Sequence, residues 1–174
     1  GSAWNSFTGD ERTTFHTTAE GFFGRNTYAG GVDKSSHFVE YHALTHGLAD
    51  FYERLGHSPE TATWIAGGVS LASGLLVELN DGRTEFGFSW EDFAMDAGGI
   101  FLAGILRRTG WRDTIGFRLG HIDQPGVPCC SRRTNYGRDY SGELYTADLK
   151  IVGAARRLNR DPGPARFLLL SATY

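Results

Sequence analysis

The sequence predicts an α+β fold: an antiparallel three-helix core over residues of about 33–55, 58–79 and 89–108, followed by a smaller strand-containing C-terminal portion. Three observations carry this reading. Apolar residues recur at helical spacing in the first two thirds of the chain, as in Phe38, Tyr41, Leu44 and Leu48. The helical stretches are punctuated by residues that stop and restart helices, Gly56 before Ser58-Pro59 and an Asp81-Gly82 turn before Ser89. Beyond Gly110 the pattern changes to short apolar runs separated by turn-rich segments.

In order, residues 1–32 read as an irregular approach segment, in which Phe22, Phe23 and Tyr28 are placed to cover part of a site at the start of the first helix. Gly30-Gly31 suits a tight turn into that helix, with Asp33, Ser35 or Ser36 available to cap its free backbone N–H groups. Gly56 is placed as its left-handed terminus. Ser58 then serves as N-cap and Pro59 occupies the first position of the second helix, where a missing N–H costs nothing. That helix is rich in small residues (Ala66, Gly67, Gly68, Ser70, Gly74), which let a neighbouring backbone come close. Ser89-Trp90-Glu91-Asp92 has the spacing of a capping box and opens the third helix, and Arg107-Arg108 suit its negative C-terminal end. Residues 33–110 thus form the helical core and 111–174 a β-containing extension of one domain. Within the extension, 115–122 and 167–174 read as strands, and 144–152 fits strand or helix.

Composition excludes several function classes. A formal charge of −3 in 174 residues gives no electrostatic case for nucleic acid as a partner. The two cysteines, Cys129 and Cys130, are adjacent, so they build neither a disulfide framework nor a CxxC zinc knuckle. No GxSxG, Walker loop or kinase signature occurs. The uncharged run Ala62 to Val77 would be about 24 Å long as a helix, short of a hydrocarbon core of roughly 30 Å.

Short connections make the three helices antiparallel neighbours, so the start of the first, the end of the second and the start of the third share one end of the bundle. Asp33, Lys34 and His37 therefore meet Glu78, Ser89, Asp92 and Asp96 there. Asp33 with His37, and Asp92 with Asp96, share helix faces at i, i+4. Glu78 opposes the dipole at a helix C-terminus and Asp96 interrupts an apolar helix, so both call for partners, with Lys34 or His37 the expected partner of Glu78.

Three chemistries are open to such a cluster. His37, Glu78, Asp92 and Asp96 could bind a divalent metal, carboxylate-rich ligands favouring Mg, Ca or Mn. The same four could act as catalytic acid–base apparatus, with Lys34 stabilising an anion. Or the cluster is a buried ion network that fixes helix packing. Asp33 and Asp92 also have plain capping readings. His42 and His46 stand four residues apart, but without a Glu beside His42 they lack the HExxH pattern.

The ordered elements Asp33-Lys34-Ser35-Ser36-His37-Phe38, then Glu78, then Ser89-Trp90-Glu91-Asp92-Phe93-Ala94-Met95-Asp96-Ala97-Gly98 resemble the YfiM-like family of bacterial envelope (lipo)proteins, and more distantly VanZ-like membrane proteins. The resemblance spans about residues 30–106. It implies a protein of the Gram-negative cell envelope, on the periplasmic side, of undetermined activity. The stretch from Arg138 to Tyr174 is similar to the strand-rich extension of longer relatives. Two functions arise as expectations. One is a structural or partner- or lipid-binding protein, peripheral to the membrane, whose partner is membrane lipid or another envelope protein. The alternative is a metal-assisted hydrolase acting on an envelope lipid or glycan.

Overall fold

A computed structural model of the chain describes residues 13–24, 26–122 and 142–174. The predicted turn-rich stretch 123–135 and the Cys129-Cys130 pair lie outside the described residues. Three long helices form the core: α1 (Val32–Arg54), α2 (Pro59–Asp81) and α3 (Trp90–Thr109), each packed against the other two. Their bounds fall within one or two residues of those expected, because the punctuation is local chemistry. Ser58 Oγ accepts the Thr61 N–H at 3.2 Å, with Pro59 at the first helical position. Ser89 Oγ accepts the Asp92 N–H at 3.2 Å.

The first helix begins differently. Its N-cap is Gly31, at φ 93°, rather than Asp33 or a serine. A Cβ there would lie 2.8 Å from Phe22 O, so only glycine takes this turn. Relieved of capping, the Asp33 side chain turns to the interior.

The C-terminal portion is a three-stranded antiparallel sheet, order β3-β4-β5, built from β3 (Ile115–His121), β4 (Glu143–Lys150) and β5 (Leu169–Thr173). Ile115 pairs with Leu149, which pairs in turn with Leu170. The ambiguous middle run resolves as both structures: β4 passes at Lys150 directly into a short helix α4 (Ile151–Arg157). The sheet lies against α1, where Phe117 meets Phe38 and His42 edge-on, at 5.3 and 4.9 Å between ring centroids.

The approach segment is tied down by a two-residue parallel bridge between β1 (Thr17–Thr18) and β2 (Phe88–Ser89). This bridge carries the chain to the start of α3. Phe22 and Phe23 remain about half exposed, with Phe23 edge-on to Tyr174 at 5.5 Å and its ring against Gly31 at the start of α1, 2.7 Å from where a Cβ there would stand; the Tyr28 side chain lies outside the described part. Helix α2 meets its neighbours along one strip, Ala62, Ala66, Ser70, Gly74 and Glu78, one residue per turn. At Gly99 of α3 the backbone of α1 comes close, and an added Cβ would lie 2.2 Å from Phe38 O.

Candidate functional site

Asp33, Lys34, His37, Glu78, Asp92 and Asp96 meet at one end of the bundle, and all but His37 are almost wholly buried. The i, i+4 relation aims Asp33 and His37 inward from α1, and likewise Asp92 and Asp96 from α3. Lys34 Nζ lies 2.7 Å from Asp33 Oδ2 and 2.5 Å from Asp92 Oδ1. The Asp92 contact is oblique for a hydrogen bond, but at this distance it is an ion pair.

A third carboxylate on Lys34 comes from Glu20, in the approach segment. Sequence reasoning missed it, since no periodicity links residue 20 to the helices. The available signal was charge: a fully buried ammonium among several carboxylates invites charge-balanced enclosure. The β1–β2 bridge delivers Glu20, and Glu91 Oε1 steadies the segment by accepting the Gly21 N–H at 3.2 Å. Burial alone would lower the Lys34 pKa, but Asp33, Asp92 and Glu20 outweigh it and hold the ammonium well above its ordinary value. Glu20 is raised, chiefly by burial, with Lys34 pulling the other way.

His37 is the hinge of the cluster. Its Nδ1 lies 2.8 Å from Asp96 Oδ1, and its Nε2 stands 3.9 Å from both Asp33 Oδ1 and Asp92 Oδ1. Burial would lower its pKa; the Asp96 hydrogen bond and the Asp92 charge prevail and raise it to about 9. The side chain retains 20% exposure, so solvent reaches the cluster at this ring.

Glu78 has neither of its expected partners, Lys34 or His37, as an ion pair. One of its oxygens, Oε2, accepts the Ser89 N–H at 3.0 Å. This is the bond that the residue at Asp92 would make in a complete capping box, so the box is divided between two helices. Asp92 is thereby released to face Lys34. Burial is the main cause that raises the Glu78 pKa, to about 7, with Ser89 N–H opposing and Asp92 adding to it. Asp96 is also raised, by burial first, against the pull of His37.

The histidines His42 and His46 stay outside the cluster. His42 is buried, its Nδ1 3.3 Å from Gly99 O, and its ring meets His46 at 4.6 Å. Burial lowers both pKa values, that of His46 to about 4 with His42 and Arg107 adding to the effect, so these are neutral core imidazoles. At the far end of the bundle Arg107 does more than face the helix dipole. It is enclosed by Glu53 and by Asp50, whose Oδ1 accepts from Nη1 at 2.7 Å.

A helical core tied at one end by an internal ion cluster, with a small sheet against its first helix, is the class of protein that fold and site define. More particularly, the chain belongs to the DUF2279 family, described as predicted periplasmic lipoproteins, whose model matches residues 19–109. It is thus an envelope-associated protein of the periplasmic side. The match runs from the residue before Glu20 to the end of α3, and so takes in the whole cluster. No curated protein and no solved structure matches the chain.

Proposed function

We propose that the protein rests against a lipid surface through the outer face of α2 and α3, and that the polar cluster is the internal lock holding these helices in place. The observation that carries this is the charge-free outer face. Helix α2 has no charged residue from Ala62 to Val77, and its outward side chains are uncovered, with Trp64 67% and Leu76 66% exposed. Phe101 of α3, at 71%, and Ile105 add to it. Exposed apolar surface of this extent marks an interaction face. Because the helices run antiparallel, the exposed Trp64 and Trp90 stand towards opposite ends of it, as aromatic residues do at the borders of a lipid-embedded surface.

Lipid is favoured over a protein partner by two further considerations. The family is one of predicted periplasmic lipoproteins, proteins held at a bilayer. The face also lacks the charged groups that fix register against a protein. Counted over all 23 residues, charged ends included, helix α2 is by length and composition long and apolar enough to cross a membrane, although its charge-free run is shorter than the hydrocarbon core. Its inner strip, however, is committed to α1 and α3 and carries Glu78 into the cluster, which supports contact in the plane of the surface.

Flotation with vesicles of phosphatidylethanolamine and phosphatidylglycerol tests the reading. Wild-type protein is expected to float, and Leu76→Glu and Phe101→Glu each to weaken binding about tenfold or more, the worth of one buried apolar side chain. Equal binding by both variants would overturn it. So would a self-associated wild type in sedimentation that the same substitutions dissociate, which would make the face a contact between copies.

The hydrolase reading draws on one observation, the solvent contact of His37 at the edge of the acidic groups. Hydrolysis of an envelope lipid or glycan that is lost in Asp96→Asn, with vesicle binding intact, would put it in first place.

A further inference from the structure

The cluster falls into two halves about the His37 ring, and they differ in how their negative charge is met. On the Nε2 side stand Asp33 and Asp92, and Lys34 Nζ already occupies the space between them at 2.7 and 2.5 Å, with Glu20 closing the enclosure. The chain supplies its own cation there. On the other side, ligand-capable atoms of His37, Glu78 and Asp96 lie within 4.8 Å of one another. Among the described residues no lysine or arginine pairs with either of these two carboxylates.

An independent feature points to a ligand in that second half. Asp96 Oδ2 is fully buried and has no hydrogen-bond partner, a costly state for a carboxylate oxygen. It faces the inner strip of α2 at Gly74, one turn from Glu78, where an added Cβ would lie 2.7 Å away. The glycine, having no Cβ, lets the Asp96 carboxylate sit against α2 on the Glu78 side, and the exposed edge of His37 gives a path from solvent.

We propose that His37, Glu78 and Asp96 bind one divalent transition-metal ion of the Zn2+ or Mn2+ type, held between α1, α2 and α3. Two carboxylates carry the charge that one such ion neutralises. The single imidazole favours a borderline ion over Ca2+ or Mg2+, which prefer oxygen donors. Ligands around a Zn2+ ion at about 2.0–2.2 Å stand roughly 3–3.5 Å apart, so side-chain rotations close the present triangle without moving the helices. Lys34 confines the ion to one half by filling the other. The ion binds whether or not the outer face meets lipid.

The test is isothermal titration of chelator-treated full-length protein with ZnCl2 and with MnCl2, with CaCl2 and MgCl2 as comparators. One saturable site is expected for Zn2+ or Mn2+. Glu78→Gln and Asp96→Asn should each weaken it by at least about tenfold, and His57→Gln, on the surface, should leave it unchanged. Saturating metal should raise the Tm of the wild type and not that of Asp96→Asn. Absence of saturable binding would overturn the proposal. So would binding that survives both carboxamide substitutions, or that disappears with His57→Gln.

Discussion

Replacing Glu78 by glutamine is expected to leave stability nearly unchanged near pH 5 and to increase it near pH 8.5. The carboxyl keeps its proton up to about pH 7 in the folded protein and releases it near 4.5 when unfolded. Between those values the folded chain binds more protons than the unfolded one, so raising the pH over this window favours unfolding. At about 1.4 kcal/mol per unit, the interval corresponds to about 3 kcal/mol of stability lost by pH 8.5. Glutamine has no proton to lose and still offers an oxygen to the Ser89 N–H, so the variant escapes this loss while retaining the helix-end bond. For a chain of this size each kcal/mol moves Tm by about 2–4 °C, which gives a gap of about 6 °C or more in favour of the variant at pH 8.5. Thermal melts of both proteins across pH 5 to 8.5, in chelating buffer, read this directly. A variant less stable at every pH, or a gap independent of pH, would refute the reasoning that burial rather than a missing partner governs Glu78.

Lys34→Met should be among the most damaging changes in the cluster, since it leaves Glu20, Asp33 and Asp92 together without their cation; a loss of about 3–5 kcal/mol is expected in urea unfolding. His37 acts in the same direction as Glu78 but at higher pH: its ring gains protons on folding between about 6.5 and 9, so its contribution is complete below pH 6.5 and disappears as the pH rises through 9. His37→Gln should therefore flatten the alkaline limb of the stability–pH curve. Gly99→Ala should lower Tm sharply or prevent folding, because its Cβ meets the Phe38 backbone at 2.2 Å, whereas Gly68→Ala, with open space around it, should raise stability by about 0.5–1 kcal/mol.

The helix bounds and the convergence of Asp33, Lys34, His37, Glu78, Asp92 and Asp96 were legible in the sequence because both rest on short-range rules. Caps at Ser58 and Ser89 act over three residues, and short loops enforce antiparallel neighbours. What escaped depends on contacts between segments. Glu20 reaches Lys34 only because Thr17 and Thr18 bridge to Phe88 and Ser89, a two-residue pairing with no pattern of its own. The division of the capping box, with Glu78 taking the bond expected of Asp92, required the end of α2 to lie beside the start of α3 in one register. Helix α4 was hidden because Leu149 and Val152 satisfy either periodicity, and no glycine or proline marks the switch from strand to helix at Lys150 itself, Gly153 standing inside the helix.

The outer face of α2 and α3 is tested most directly by fluorescence quenching with brominated lipids, using variants that keep a single tryptophan. Trp64 and Trp90 border the face, while Trp111 lies under the Arg157 guanidinium, 4.1 Å from its ring centroid. The expected result is strong quenching of Trp64 and Trp90 on vesicle binding, with Trp111 little affected. Quenching of Trp111 alone, or of none of the three in vesicle-bound protein, would contradict the assignment of this face to lipid.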